Sequence, residues 1–568
     1  TNLALCHLKR GDLPTARAAN AGAADAARQA SPITALLVEG VEARLLMASG
    51  NPAAAVRRLE SMSPRARAME DRTLAWEILY LKGLAMSALG RHREAGACFE
   101  GALAGLAELE RECRDLYVTL HFLESAGDVV EGALASLLTR LESGEAPDPL
   151  LGRAFEIMES HRARVLDRRI DALAPAVQPA GRPTLTEVRH WIGSRNGSAL
   201  MVFDGEHHVY RLAFDGRGAT LIRNPAPRMR ELVGRVEESL LAGAKREQAA
   251  ATAELASCLR LTAGQGNGEL FILPSGCLCR IPLEILPVTG GPPAEPLGIQ
   301  RAVVYLPSWQ FLRRTEASGS PSNSGGSYLG IHGFAGGPAG RRLPWAEQEV
   351  TYGAQAIAWN RTLIQPAALL GGSRRHGGTP GPEWTIVHLA THVEVNEEDP
   401  WRSRILLEAN PSSEGGLTVQ DLAEGVWRSN LVVLSGCATG RGRVFRGEGP
   451  ISLARSCLAS GSRAVLTTLW PVADRAAGEF MRHFYDALPR CGGQAALALR
   501  EARRRMWENP AFRDATHWAG YVLYGLPAPI LAPETPGVTD SAFVPTWLAI
   551  VLLWLLGAGR AVRGPSRP

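Results

Sequence analysis

Beyond residue 328 the sequence alternates short, uninterrupted apolar runs with longer stretches of helical periodicity. The apolar runs are Tyr328–Ile331, Trp384–Ala390, Ile405–Leu407, Leu431–Leu434 and Ala464–Leu469. Uninterrupted apolar runs are typical of strands that are buried on both faces, and alternation with helices is typical of parallel strands. The sequence therefore predicts an α/β domain with a mostly parallel sheet over 328–531. Ligands of such sheets bind outside the carboxyl ends of the strands.

The first 145 residues carry a different signal, which recurs about every 40 residues. A glycine followed five residues later by an alanine occurs at Gly11, Gly50 and Gly90. In the third unit, Gly83 and Phe99 have the offsets of a tetratricopeptide repeat, in which small residues let two helices approach and the aromatic ring fills the gap. We therefore predict an all-α, tetratricopeptide-like array over 1–145 that binds a protein. A generic array of helical hairpins is the alternative.

The residues between these two regions predict a connector and a first part of the α/β domain. We expect a connecting helix within 146–181 and the N-terminal part of the domain over 182–315. Residues 316–327 are rich in serine and glycine, which is typical of a linker or a surface loop. Further predicted elements are strands at 199–203, 208–214, 269–273 and 302–306 and a helical stretch at 227–260.

Composition excludes some classes of function. The net charge is only +4 over 568 residues, which provides no concentrated basic face for a nucleic acid. Nine cysteines are few and odd in number, so we expect reduced thiols. The close pair Cys277 and Cys279 is short of the four ligands of a structural zinc. We expect no metal and no cofactor.

Two of the predicted strands end in side chains that are suited to nucleophilic chemistry. His388 and His392 close one strand, and Ser435-Gly436-Cys437 follows another. A thiol needs a base to become a thiolate at neutral pH, and a histidine on an adjacent parallel strand can supply it. Small residues around the cysteine let a substrate backbone approach and leave N–H groups to hold an oxyanion. On residue types alone, a buried structural thiol is the alternative.

This part of the chain resembles the CHAT family of caspase-like cysteine peptidases, which commonly follow tetratricopeptide repeats. The resemblance covers roughly residues 150–527 and keeps the order and spacing of several motifs. These motifs include 388–392, 417–422, 434–439, 447–449, 461–471 and 518–525, with 281–284, 305–308 and 343–350 upstream.

The resemblance implies roles for single residues. Cys437 would attack the scissile carbonyl, and His392 would act as the base and then protonate the leaving amine. The backbone N–H groups of Val393 and Cys437 would hold the oxyanion. His388 would share a strand face with His392 and support the site from behind, and Ser435 and Gly436 are interpreted as supporting residues too.

Departures from the family pattern leave alternatives open. The family usually has glycine at the position of Val393 and glutamate at that of Ala438, so an inactive scaffold is the alternative to an active peptidase. Asp474 would receive a basic substrate side chain in related peptidases, but an N-cap is the preferred interpretation. A zinc peptidase is disfavoured because Leu389 stands where its glutamate would be.

Residues 542–559 contain no charged side chain. Eighteen uncharged residues are just long enough to cross ~30 Å of hydrocarbon as a helix. We therefore expect a transmembrane helix there, between a linker at 532–541 and a short basic tail at 560–568. A buried C-terminal helix is the alternative.

These features predict a single-pass cell-membrane protein with a cysteine endopeptidase domain. The arginines after residue 559 favour an outside peptidase, whereas the reduced cysteines favour the cytoplasmic side, which we prefer. The expected partners are a protein or peptide substrate, a regulatory protein through 1–145 and the membrane through 542–559.

Overall fold

The computed structural model describes a helical array that leads into one large α/β sheet. The described residues are 2–27, 31–69, 71–113, 116–173, 181–261, 268–288, 295–318, 326–333, 343–357, 359, 361–366, 384–406, 416–424, 428–526 and 529–530.

The array begins with three antiparallel helix pairs whose members are joined by glycine turns. Its first six helices are α1 (Asn2–Lys9), α2 (Leu13–Ala27), α3 (Pro32–Ala48), α4 (Pro52–Ala68), α5 (Arg72–Ala88) and α6 (His92–Glu112). Gly11, Gly50 and Gly90 each take a positive φ, between 73° and 76°, which favours glycine because it has no Cβ. The alanines five residues later are fully buried. The predicted helical repeats are therefore confirmed.

Three further helices connect the array to the sheet. They are α7 (Leu116–Glu142), α8 (Pro147–Ser160) and α9 (Arg164–Leu173). The ring of Phe99 lies against the backbone of two glycines, because a Cβ on Gly83 or Gly132 would be 2.6 or 2.7 Å from it. The single predicted connecting helix is two helices, since the chain breaks at Ala163, where φ is 49°.

The α/β region contains an eleven-stranded sheet in the order β3-β2-β1-β4-β5-β16-β15-β12-β8-β6-β7. Its strands are β1 (Ser198–Asp204), β2 (His208–Asp215), β3 (Ala219–Pro225), β4 (Leu270–Leu273), β5 (Val303–Tyr305), β6 (Ser327–His332), β7 (Arg361–Pro366), β8 (Ile386–Ala390), β12 (Leu431–Leu434), β15 (Ala464–Thr468) and β16 (Tyr521–Gly525). Two small sheets contain β9 (Val393–Glu394), β10 (Arg404–Leu406), β11 (Gly416–Thr418), β13 (Val444–Phe445) and β14 (Gly449–Pro450).

The large sheet is built from two sets of parallel strands that run in opposite directions. Strands β15, β12, β8, β6 and β7 are parallel to one another, and so are β1, β4, β5 and β16. The two sets meet at the antiparallel pair β15–β16. The predicted mostly parallel α/β sheet is confirmed, while its strands β3, β7 and β16 were not expected from the sequence.

Helices cover both faces of the sheet. They are α10 (Leu185–Ser194), α11 (Ala226–Leu241), α12 (Lys245–Cys258), α13 (Leu297–Gln300), α14 (Trp309–Ala317), α15 (Pro344–Ile357), α16 (Val419–Glu424), α17 (Leu453–Ala459), α18 (Asp474–Arg490) and α19 (Ala495–Glu508). Side chains of α15 and α18 pack on one face of β8 and β12, and those of α9, α16 and α17 pack on the other. The predicted helical stretch at 227–260 is two helices, because the chain turns at Gly243.

A buried ion pair lies in the core of the α/β domain. Nη2 of Arg503 donates to Oε1 of Glu284 at 2.7 Å and to the carbonyl oxygen of Tyr521 at 2.6 Å. The hydroxyl of Tyr305 donates to the other oxygen of Glu284. Both charged side chains are completely buried, so each depends on the other for its charge to be compensated.

The prediction of a transmembrane helix and of a single-pass membrane location is corrected here. No helix in the described ranges is long and apolar enough to cross a membrane. The expectation rested on eighteen residues, which is near the lower limit for a spanning helix, while a long described helix such as α7 carries charged side chains along its length. The segments 532–541, 542–559 and 560–568 lie outside the described residues.

Candidate active site

The candidate site forms where two neighbouring parallel strands end. Strands β8 and β12 pair directly, with Leu389 opposite Leu434. The N–H of Ser435 donates to the carbonyl of Leu389 at 2.9 Å, which continues the ladder by one residue. The segments that carry His392 and Cys437 therefore leave the sheet side by side, at its carboxyl edge.

Gly436 is the point at which these two segments touch. A Cβ at this position would lie 2.8 Å from the carbonyl oxygen of Thr391 and 2.7 Å from Cγ2 of Val393. Real Cβ atoms do not approach other heavy atoms so closely, so glycine is required. The residue before Cys437 is thus packed against the residues on both sides of His392.

Thr468, at the end of β15, holds the backbone of the cysteine turn. Its Oγ1 donates to the carbonyl of Gly436 at 2.6 Å and accepts from the N–H of Ala438 at 3.0 Å. The N–H of Gly440 donates to the carbonyl of Thr468 at 2.9 Å. The backbone is therefore fixed on both sides of Cys437.

Ala438 takes a left-handed backbone conformation, with a φ of 58°. This conformation costs a residue with a Cβ roughly 1–2 kcal/mol. Its carbonyl accepts from the N–H of Arg441 at 2.9 Å, and its N–H donates to Thr468. These two hydrogen bonds hold Ala438 in its strained conformation. Such strain is concentrated at functional sites.

The surroundings of Cys437 favour its protonated thiol over the thiolate. The residue is exposed, yet the protein that surrounds its sulfur removes enough water to raise the pKa of the thiol. Burial has this effect because it disfavours the charged thiolate. Nucleophilic attack would therefore require a base that takes the proton.

The N–H of Val393 points away from the strand that pairs with it. The N–H of Leu406 donates to the carbonyl of His392 at 2.9 Å, and Val393 lies opposite Ile405. Hydrogen-bonded and non-hydrogen-bonded pairs alternate along an antiparallel ladder, so Val393 and Ile405 form a non-bonded pair. Because β9 is at the edge of its sheet, this N–H is directed outward, as an oxyanion donor would have to be.

His388 lies inside the protein, in a network of polar side chains. Its Nε2 is 2.9 Å from Oε1 of Glu349, and its Nδ1 is 3.0 Å from the hydroxyl oxygens of Tyr328 and Tyr485. The sequence predicted that His388 and His392 share a strand face. Strand β8 ends at residue 390, however, so only His388 belongs to the strand.

Asp474 is the first residue of α18, but its side chain caps another helix. Its Oδ2 accepts from the N–H of Trp345, in the first turn of α15, at 3.1 Å, and no side-chain bond caps α18 itself. Burial raises the pKa of Asp474, and the charge of His392 acts in the opposite direction. The carboxylate is thus within electrostatic range of His392.

Sequence reasoning missed three residues that surround the cysteine turn: Thr468, Glu349 and Tyr521. Burial raises the pKa of Tyr521 well above its usual range, and the charge of Glu349 adds to this effect. A signal for Thr468 was available, since two threonines close the otherwise apolar run Ala464–Leu469. Polar residues at the carboxyl end of a buried strand are placed to act at the site.

Comparison with curated proteins finds short stretches of similarity. Tetratricopeptide repeat protein 28 of Mus musculus is 35% identical over 125 residues, and the protein of the same name in Homo sapiens is 31% identical over 190 residues. The alignments cover 22% and 33% of this chain but only 5% and 7% of those proteins. The chain thus spans less than a tenth of the length of the relatives it matches.

Two solved structures overlap with this chain at low similarity. The Saccharomyces cerevisiae separase–securin complex matches 92% of this chain and 46% of that chain, with a TM-score of 0.48 and 10% identity. The match with the Arg-specific cysteine proteinase gingipain R covers 50% of this chain and 68% of that chain, with a TM-score of 0.35 and 11% identity. Scores this low do not establish a common fold.

The family model of the CHAT domain matches residues 238–526, slightly more than half of the chain. The match contains both strand ends of the candidate site, the turn that holds Cys437 and the strands on either side. It confirms the resemblance inferred from the sequence motifs. The chain therefore belongs to the CHAT domain family.

Proposed function

We propose that this chain is a cysteine endopeptidase in which Cys437 is the nucleophile and His392 is the general base. The observation that carries the proposal is the packing of Gly436 against Thr391 and Val393, which brings together the two segments bearing these side chains. Membership of the CHAT family, whose domains are caspase-like and peptidase-like, supports the class of reaction.

The chemistry follows from the protonated thiol. His392 takes the proton of Cys437 while the sulfur attacks the carbonyl carbon of the scissile bond. The carbonyl oxygen becomes an oxyanion, which accepts from the N–H groups of Cys437 and Val393. His392 then gives its proton to the leaving amine as the C–N bond breaks. Water hydrolyses the resulting thioester and restores the thiol.

Asp474 is proposed to accept a basic side chain next to the scissile bond. Its carboxylate is in electrostatic range of His392, so a cationic group bound there would lie close to the reacting atoms. The cation would share the carboxylate with the N–H of Trp345. Asp474→Asn should then lower the cleavage of peptides with a basic residue at that position more than that of other peptides.

An inactive scaffold is the second candidate function. It is favoured by Val393, whose side chain packs on Gly436 and adds bulk beside the oxyanion position. It is also favoured by Ala438, which replaces the glutamate that is usual in the family.

The helical array is proposed to bind a regulatory protein. Ile33 and Leu37 are one turn apart on α3, and their side chains are 42% and 41% exposed. Apolar side chains at this spacing form a stripe on one side of a helix, which suits a protein partner. The curated relatives, which are named for tetratricopeptide repeats, support this role.

The test compares the full chain with its Cys437→Ala and His392→Ala variants. Each protein is incubated with a peptide library, and cleavage is read by mass spectrometry. We expect the wild type to cleave and both variants to lose cleavage. Cys6→Ala is the matched control, because Cys6 is also an exposed free cysteine and lies in the array.

A second measurement separates the two candidate functions. A peptide ketone that alkylates cysteine peptidases should label Cys437 faster than Cys6 in the same molecule, and labelling should require His392. If the wild type cleaves no peptide and labels both cysteines at equal rates, the peptidase proposal is wrong and the scaffold is the better account.

A further inference from the structure

The segment after the cysteine turn is a hairpin that is held at both of its ends. We call residues 440–450 the cysteine hairpin; they include β13 and β14. At its base, the guanidinium of Arg441 lies 2.7 Å from the carboxylate of Glu237 on α11 and 3.4 Å from that of Glu397. The backbone of the base is bonded to Thr468 and Ala438, as described above.

The tip of the cysteine hairpin lies on α7, the helix that follows the last repeat. Nη1 of Arg446 is 2.9 Å from Oδ1 of Asp128 on α7, and Nη2 is 3.1 Å from Oε2 of Glu206 in the β1–β2 turn. The stem of Arg446 lies directly on the helix backbone, because a Cβ on Gly127 would be 2.1 Å from its Cδ. The lack of a side chain at Gly127 is what allows this contact.

Residues at the start of α9, in the connector, bind the same tip at a second point. Glu448 is 2% exposed, and its carboxylate accepts from the N–H groups of Val165 and Leu166, at 3.0 and 3.1 Å, at the start of α9. The N–H of Ala163 donates to the carbonyl of Gly447 at 2.9 Å. A carboxylate is well placed at a helix N-terminus, where unpaired N–H groups and the helix dipole favour negative charge.

Helix α7 is in turn fixed to the α/β domain. The carboxylate of Glu131 accepts from the N–H groups of Glu206, His207 and His208, at distances between 2.7 and 3.2 Å. A cavity of about 1680 Å³ lies beside the hairpin, lined by α7, α11 and the hairpin itself. The hairpin borders this cavity, while Phe445 between its ends is 8% exposed and packs into the core.

We infer that Arg446 is a positioning residue, which sets the backbone of the Cys437 turn according to the position of α7. A displacement of α7 moves the tip of the hairpin. Because the hairpin is short, the backbone of Ala438–Arg441 at its base is displaced as well. The exposed ion pair of Arg446 alone is too weak for this, so the coupling depends on the backbone contact at Gly127. The inference rests on the proposed peptidase function and gives the array a physical route to the site.

The test replaces Gly127 with alanine in the full chain. The added Cβ displaces the stem of Arg446, while the helix gains up to about 1 kcal/mol of intrinsic propensity, so the protein should fold. Gly22→Ala is the matched control, because Gly22 is also helical and a Cβ there meets nothing within 4 Å. Arg446→Ala removes the side-chain stem without changing α7, and Arg446→Lys should retain the stem and its contact.

Two readouts report on the cysteine turn. The first is hydrogen exchange of the bonded amides of Ala438, Gly440 and Arg441, and the second is kcat and KM on the best peptide of the library. We expect Gly127→Ala and Arg446→Ala to raise exchange and to lower kcat about tenfold, since small misplacements of reacting groups are costly. KM should not change, and Gly22→Ala and Arg446→Lys should behave as the wild type does.

Unchanged exchange at these three amides in both Gly127→Ala and Arg446→Ala would overturn the inference. The hydrogen-exchange measurement needs no substrate, so it tests the positioning role even if the wild type cleaves no peptide. In that case the proposed peptidase function fails separately.

Discussion

The helical array and the α/β domain use charged side chains in opposite ways. Ion pairs between helices of the array, such as that of Arg72 with Glu112 at 57% and 63% exposure, lie at the surface. The buried Glu110 of α6 pairs instead with Arg164 of the connector. In the α/β domain, Glu284 and Arg503 pair at 0% exposure. Water and salt screen surface charges, whereas a buried charge depends on its partner. The array is therefore held by the shape of its apolar contacts, and the α/β domain also by directed polar contacts.

Among variants that test this difference between exposed and buried ion pairs, Arg503→Met should lower the free energy of unfolding the most. Methionine keeps much of the apolar bulk but leaves Glu284 without its cation, and breaking a buried pair in this way costs about 3–5 kcal/mol. Urea unfolding followed by circular dichroism measures the loss. Arg72→Met is the control and should leave the unfolding midpoint unchanged, whereas equal losses in the two variants would contradict the comparison.

The same variant sharpens the comparison through pH. Burial raises the pKa of Glu284, while the charge of Arg503 acts in the opposite direction. Stability from such a group is greatest below the unfolded pKa of about 4.3 and falls as the pH rises above it. Removing Arg503 raises this pKa further, so the deficit of Arg503→Met should be larger near pH 7 than near pH 4. A deficit that does not change with pH would show that the carboxylate is not its source.

Helix α7 is an exception to this difference between the two regions, because it continues the array but carries a buried charge. Glu131 is 7% exposed and accepts three N–H groups of the β1–β2 turn. Glu131→Gln removes the charge from these bonds, and a hydrogen bond to a charged group contributes about 1.5–3 kcal/mol. We expect a loss of this size and two unfolding transitions where the wild type has one. Glu124→Gln, at an exposed position of the same helix, should show neither.

Gly83→Ala should give the smallest effect, because the array is held by shape. Its Cβ would be 2.6 Å from the ring of Phe99, and overpacking costs about 1–3 kcal/mol. Higher helix propensity returns up to about 1 kcal/mol, so the net loss should be about 1 kcal/mol in urea unfolding. Gly152→Ala, where a Cβ meets nothing, should instead stabilise the protein, and a loss there would undermine the steric explanation.

The sequence predicted those elements of the fold whose signal is local. Strand β12 was predicted with its observed bounds, because an uninterrupted apolar run between polar residues has no other simple explanation. Strand β3 was missed because its burial alternates, and β7 because the run Arg361–Pro366 carries polar residues. Strand β16 was missed although it is apolar, because its residues were interpreted only as a family motif. The break at Ala163 was missed as well, since it is imposed by contact with Gly447, a residue far away in the chain.

The site was predictable only in part for the same reason. The motifs at His392 and Cys437 indicated the two strand ends, and the resemblance assigned their roles. The contacts of Thr468 with the cysteine turn depend on which strands are neighbours, and the capping of α15 by Asp474 depends on how two helices pack. The threonines in the run Ala464–Leu469 indicate a polar strand end, but a single sequence does not show which backbone groups Thr468 or Asp474 binds.

Because the glycine turn recurs, the number of helix pairs in the array can change without changing the rest of the molecule. Each helix pair repeats the same left-handed turn and the same buried alanine, so a pair added or removed ahead of α5 would meet the same kind of neighbour. The packing of Phe99 on α7 and the contacts of α7 with the α/β domain would be untouched. In evolutionary terms, such a protein can lengthen or shorten its array by duplication or loss of helix pairs, without altering the residues around Cys437.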